Sequence, residues 1–153
     1  MSYEQLLVEV EKEGIMIFEN NYIGRLKGLY VDNTVTLNTN IETEVEKKCI
    51  LVEELGHHHT SYGDIRDQSK LENRKQEQRA RAWGYERLVG ILDIINAYKS
   101  NVRNRYELAE YLNVTEEFIE EVIIHYKLKY GLFCKIDNYL VYFEPLSVLE
   151  MWE

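Results

Sequence analysis

Apolar positions along the chain change period several times, and each change marks an element. After Ser2, the residues Tyr3, Leu6, Leu7 and Val10 keep the three-and-four step of a helix up to Gly14. Ser2 and Gln5 have the spacing of a capping box at its start. Ile15 to Phe18 is a short apolar run that predicts a strand, closed by the turn signal Glu19-Asn20-Asn21. Residues 26–38 read as a hairpin around Asp32-Asn33, a workable two-residue turn though weaker than Asn-Gly. Thr43 and Glu46 predict a second helix from about residue 43. Its run Cys49-Ile50-Leu51-Val52 leaves little of it polar, so burial is expected. A polar loop, Thr60 to Asp67, precedes a long helix from about Lys70 to about Lys99, interrupted near Gly90. Along it Glu77, Ala80, Gly84, Leu88, Ile91 and Ile95 form one stripe. Further on come helical segments over Arg105–Leu112 and Thr115–Lys129, with Thr115 as N-cap and Gly131 as stop. Leu132 to Phe143 alternates around Asp137-Asn138, a second hairpin candidate, and Leu146 to Trp152 is an apolar tail that docks into the core or is offered to a partner.

Such an order predicts an α+β chain in two parts, 1–100 and 101–153, the second a small helical, winged-helix-like packing or interaction module. With 153 residues, 45% hydrophobic and 29% charged, the chain can bury a proper core. A net charge of -9 argues against binding phosphate backbones by general electrostatics. Tyr106 to Thr115 resembles the first helix and turn of a helix-turn-helix, but the second helix opens with Glu116, Glu117, Glu120 and Glu121. A DNA reader needs basic or amide groups there, so no direct nucleic-acid contact is expected. Cys49 and Cys134 are too few for a disulfide scaffold and suit small buried positions. No basic, apolar leader and no run of about 18 apolar residues is present, which predicts a soluble, intracellular protein without a membrane role.

Metal-capable groups crowd into Cys49–His59. Acids on a buried helix are costly unless they are paired or coordinate a metal, and Glu53 and Glu54 also face the unfavourable end of the helix dipole. Glu53 and His57, four apart, share a helix face. The zincin motif H-E-x-x-H has ligands at its two histidines and a general base at the acid between. Glu53-Glu54-Leu55-Gly56-His57 matches it at Glu54 and His57 and departs at Glu53. Carboxylate oxygen also binds Zn²⁺, so the departure alters the site without abolishing it. His58 with Glu54 is an alternative register. The histidine run is internal and three long, unlike a purification tag. Asp64 can be a substitute ligand, a group that orients a histidine, or a turn residue. Glu77 either aims inward from the head of its small-residue stripe or pairs with Arg81 at i+4 on a solvated face.

The stretch Glu53-Glu54-Leu55-Gly56-His57-His58-His59-Thr60-Ser61-Tyr62-Gly63-Asp64-Ile65 resembles the ImmA/IrrE family of metallopeptidase-like proteins. More narrowly it is similar to a phage and mobile-element branch with E-E-[IL]-G-H-H in place of H-E-x-G-H. The family's downstream motif, E-x-x-A-x-x-[FW]-A, reads here as Glu77 to Gly84, with glycine at the last small position. The resemblance spans roughly residues 28–90. It implies a zincin-like core: a small antiparallel sheet, an active-site helix and a long ligand-bearing helix. It implies Zn²⁺ held by Glu53, His57 and Glu77, with His58 and Asp64 in support and Glu54 activating a metal-bound water. Two carboxylate ligands predict weaker zinc affinity and better competition by Mn²⁺. A strand edge, for which Tyr30 to Asn38 is the candidate, would hold an extended peptide beside the active-site helix. The expected partner is a phage-type repressor or similar regulatory protein, cleaved or antagonised in the cytoplasm of the host. The competing expectation is an inactive relative that acts by stoichiometric binding.

Overall fold

Helix α1 (Tyr3–Lys12) begins at the expected box: Ser2 Oγ accepts from the Gln5 amide at 3.1 Å, and Gln5 Oε1 accepts from the Ser2 amide at 2.8 Å. The computed structural model describes residues 1–60 and 71–152, and among them six helices and two three-stranded sheets give an α+β chain. They gather into two compact units, Met1–Arg87 and Leu88–Glu153.

In the first unit, β1 (Met16–Asn20), β2 (Gly28–Val31) and β3 (Thr34–Asn38) form a sheet in the order β1-β3-β2. Asp32 and Asn33 both take left-handed backbone, φ 49° and 58°, which a two-residue hairpin turn between twisted strands requires. The expected antiparallel sheet is in fact mixed, because β1 pairs parallel with β3, Met16 opposite Thr34 and Asn20 opposite Asn38. Asn38 makes that return feasible. Its buried side chain donates to the carbonyls of Gly24 and Leu26, at 3.0 and 2.9 Å, and so fixes the connecting loop. The pairing also corrects the candidate peptide edge: Thr34–Asn38 is interior, and Gly28–Val31 alone of that hairpin lies at an edge.

Helix α2 (Glu44–Thr60) starts at Thr43, whose Oγ1 accepts from the Glu46 amide at 3.1 Å. Leu51, Val52 and Leu55 are wholly buried, as the apolar run predicted, and the helix continues through all three histidines. Thr60 is thus helical; the rest of the expected loop, with Asp64, lies outside the described residues. The long downstream helix is two, α3 (Leu71–Leu88) and α4 (Ile91–Lys99). They part at Gly90, whose amide donates to Asp93 Oδ2 at 2.8 Å and so caps a new helix. The small-residue stripe does bring α3 close to α2. A Cβ at Gly56 would stand 2.1 Å from the Ala80 carbonyl oxygen, and one at Gly84 3.3 Å from Val52.

The second unit packs α4, α5 (Arg105–Leu112) and α6 (Glu116–Tyr130) with an antiparallel sheet β4-β5-β6. Thr115 caps α6 and Gly131 ends it with φ 82°. Buried Tyr126 donates its hydroxyl to the Val89 carbonyl at 2.6 Å. The acidic face of α6 is partly neutralised within the unit by an Arg105–Glu120 ion pair. The apolar tail is a third strand, β6 (Leu146–Glu150), paired along β5 with Val148 buried and Trp152 left exposed. A cavity of about 520 Å³ opens in this unit, lined by Ile94, Tyr98, Leu108 and Leu146 among others and by none of the candidate site residues. Among the described residues no helix is long and apolar enough to cross a membrane.

Candidate metal centre

Two helices and one strand edge build the site. Helix α2 carries Glu53, Glu54 and His57, α3 carries Glu77 and Arg81, and β2 lies against α2 at Gly28. The i, i+4 spacing of Glu53 and His57 puts both towards α3. Close contact at Gly56–Ala80 brings α3 near enough for short side chains to meet. His57 Nε2 then lies 3.0 Å from Glu77 Oε2, with His57 buried and Glu77 mostly so. Glu77 uses its other oxygen, Oε1, to accept from Arg81 Nε at 3.1 Å, and the same Nε is 2.9 Å from Glu53 Oε1. Glu77 thus points inward and also pairs with Arg81 at i+4, from a mostly buried position rather than a solvated face.

Strand β2 crosses so near α2 that a Cβ at Gly28 would be 2.7 Å from Ile50 Cγ2 and 3.1 Å from Glu54 Cγ. Only glycine lets the strand close over the Glu54 carboxyl. That burial, helped by the charges of Glu53 and Glu77, pushes the Glu54 pKa up to about 7, against the opposing pull of His57 and Arg81. Burial disfavours a charged His57, but the bond to Glu77 and the neighbouring carboxylates outweigh it and raise its pKa. The same bond holds Glu77 low, with Arg81 adding to it against burial. Burial likewise opposes the Arg81 charge, and Glu53 and Glu77 more than compensate. The His57–Glu77 contact thus favours the charged form of both partners, beside a Glu54 carboxyl whose pKa lies at about 7.

The other two histidines turn elsewhere. His58 Nδ1 meets the Tyr30 hydroxyl of β2 at 2.6 Å, and its Nε2 is 4.0 Å from Glu13 Oε2. His59 Nε2 is 3.0 Å from that same oxygen, and its ring stacks on Trp83 at 4.6 Å between centroids. Glu13, just past α1, carried no sequence signal as a partner of these rings. Neither did the bridge from Arg81 to Glu53. Only its i+4 half is readable from spacing, because the other half depends on how closely the helices pack.

The chain matches the family model of the M78 peptidases, described as the IrrE N-terminal-like domain, over residues 10–123. The chain belongs to the ImmA/IrrE family. The match covers the motifs of α2 and α3 and reaches into α6, well beyond the span over which the motif likeness is visible. A comparison with curated proteins gave no match, and neither did one with solved structures.

M78 peptidases are typically zinc enzymes, so the residues must be weighed against a metal. Among the described residues, no three His, Cys, Asp or Glu side chains are gathered closely enough to hold one. By donor type alone, an imidazole and two carboxylates are groups that zinc accepts. Two atoms bound to one tetrahedral zinc stand roughly 3.3 Å apart, and the His57–Glu77 contact of 3.0 Å is close to that. Glu53, the third expected ligand, turns its Oε1 onto Arg81 instead.

Proposed function

We propose that this family member is a cytoplasmic metal-dependent endopeptidase that cleaves or antagonises a regulatory protein of the phage-repressor type, and that its gene belongs to a phage or mobile element. The observation that carries the reading is Glu54: a carboxyl closed over by Gly28, beside the His57–Glu77 pair, with its pKa near 7. A general base works best when its pKa lies near the operating pH. Glu53, His57 and Glu77 are the residues to hold Zn²⁺, or Mn²⁺ in its place. The ion, when bound, supplies Lewis acidity for a scissile carbonyl and a lowered pKa for water. Glu54 takes the proton of the attacking water and returns it to the leaving nitrogen. The outer edge of β2, at Gly28–Val31, offers backbone groups beside Glu54 to which an extended peptide can add as a strand. Arg81 favours a second reading. Its hold on Glu53 and Glu77, together with glutamate in place of the first histidine, suits a relative that binds its target without cutting it.

One comparison separates the two. Cells producing the wild-type protein and a tagged candidate repressor are followed by immunoblot, with Glu54→Gln as control. Cleavage predicts loss of the repressor band with wild type only. Equal antagonism by Glu54→Gln, with the band intact, removes the peptidase reading in favour of stoichiometric binding.

A further inference from the structure

Arg81 belongs to no ligand set, yet its guanidinium stands among the carboxylates. A single Nε–H is shared between Glu53 Oε1 and Glu77 Oε1, at 2.9 and 3.1 Å. Glu77 lies one turn back on the same helix, whereas Glu53 comes from α2, so the contact needs both the i+4 spacing and the tight Gly56–Ala80 approach. Glu53, Glu54 and Glu77 bring three carboxyls around one imidazole, an arrangement in which like charges repel and a nearby cation is favoured. A metal ion drawn to these acids would meet the guanidinium already seated on Glu53 Oε1 and Glu77 Oε1. The Arg81 side chain is half exposed, at 50%, so it can swing into solvent without disturbing α3.

We propose that Arg81 is the counter-ion of the metal-free site: it holds Glu53 and Glu77 until a divalent cation displaces it, and so sets the threshold for metal occupancy. The inference rests on reading Glu53, His57 and Glu77 as the metal ligands. Exposed ion pairs are weak enough to yield to a metal but strong enough to cost it affinity, about tenfold for two pairs acting together.

Competition with a chromophoric chelator measures zinc and manganese affinity in the full chain, and thermal unfolding is followed with metal stripped and with metal saturating. Arg81→Gln, which keeps most of the side-chain length and loses the charge, binds zinc about tenfold more tightly than wild type. It also lowers the melting temperature of the stripped protein while leaving the saturated protein nearly unchanged. Arg81→Lys retains the charge and stays within about threefold of wild type. A mere packing role would lower both melting temperatures and tighten nothing. If wild type binds metal and Arg81→Gln binds it equally or more weakly, the role of Arg81 is overturned and the ligand assignment stands. If neither protein binds metal, both fall.

Discussion

Replacing Gly56 with alanine sets two known effects against each other with opposite signs. Within a helix, glycine to alanine stabilises by about 1 kcal/mol through propensity alone. At Gly56, however, the new methyl would sit 2.1 Å from the backbone oxygen of Ala80, against the 3.0 Å below which real Cβ atoms essentially never approach another heavy atom. The obstacle is backbone, so no rotamer change relieves it; α2 and α3 must part by about 1 Å. Overpacking of this kind costs typically 1–3 kcal/mol, at times more. The upper half of that range exceeds the propensity gain, and we expect a net destabilisation of about 1–2 kcal/mol. Gly84→Ala is the internal control. Its Cβ would lie 3.3 Å from Val52 Cγ1 and from the Val52 carbonyl oxygen, tight contacts that small adjustments can relax. There the two effects nearly cancel, and a change within about 0.5 kcal/mol is expected. Urea unfolding of the three proteins reads the difference directly, since the midpoint moves while the slope stays constant. A Gly56→Ala protein as stable as wild type, or more so, would refute the close helix approach on which the His57–Glu77 contact depends.

Glu54→Gln removes a carboxyl whose folded pKa, about 7, lies above its unfolded value of 4.5. The wild-type fold bears no penalty from this group below about pH 4.5, loses stability as pH rises towards 7, and levels off above. The variant lacks that slope, so it should gain on wild type by up to roughly 3 kcal/mol at pH 8 and by little at pH 5; parallel pH profiles in urea would contradict this. Glu53→His restores a second imidazole and should raise zinc affinity relative to manganese, measured by metal content after dialysis against both ions. Equal affinity and activity in the two proteins would sink the idea that the altered first ligand weakens the site. Glu77→Ala should abolish a stoichiometric metal, as read by mass spectrometry of untagged protein; full metal retention would remove Glu77 from the ligand set. Tyr126→Phe leaves the Val89 carbonyl without its 2.6 Å donor and should cost about 1–2 kcal/mol in the same unfolding assay, a loss that an unchanged midpoint would disprove.

Local signals were legible wherever they act within a few residues. Ser2 and Gln5, Thr115, Gly131 and both Asp-Asn turns declare themselves in sequence because the bonds they make span three or four positions. Burial of Leu51, Val52 and Leu55 in α2 followed from an apolar run that leaves little of the helix polar. The parallel β1–β3 pairing was not legible, since it depends on Asn38 holding a loop fourteen residues upstream. Strand β6 hid for a related reason: a five-residue segment with a single buried position, Val148, reads as a tail until β5 is beside it. At the site, spacing within one helix put Glu53 and His57 together. Arg81 could be matched to Glu77 by the i+4 rule, but Glu53, on another helix, only by the depth of helix packing.

The stacking of His59 on Trp83 gives the molecule its own optical probe. The chain has two tryptophans. Trp152 is 82% exposed, whereas Trp83 lies under an imidazole two residues from His57. Its emission is coupled to the charge and tilt of that ring, so events among the histidines are written into the intrinsic fluorescence. With Trp152 exchanged for phenylalanine, the remaining tryptophan emission belongs to Trp83 alone.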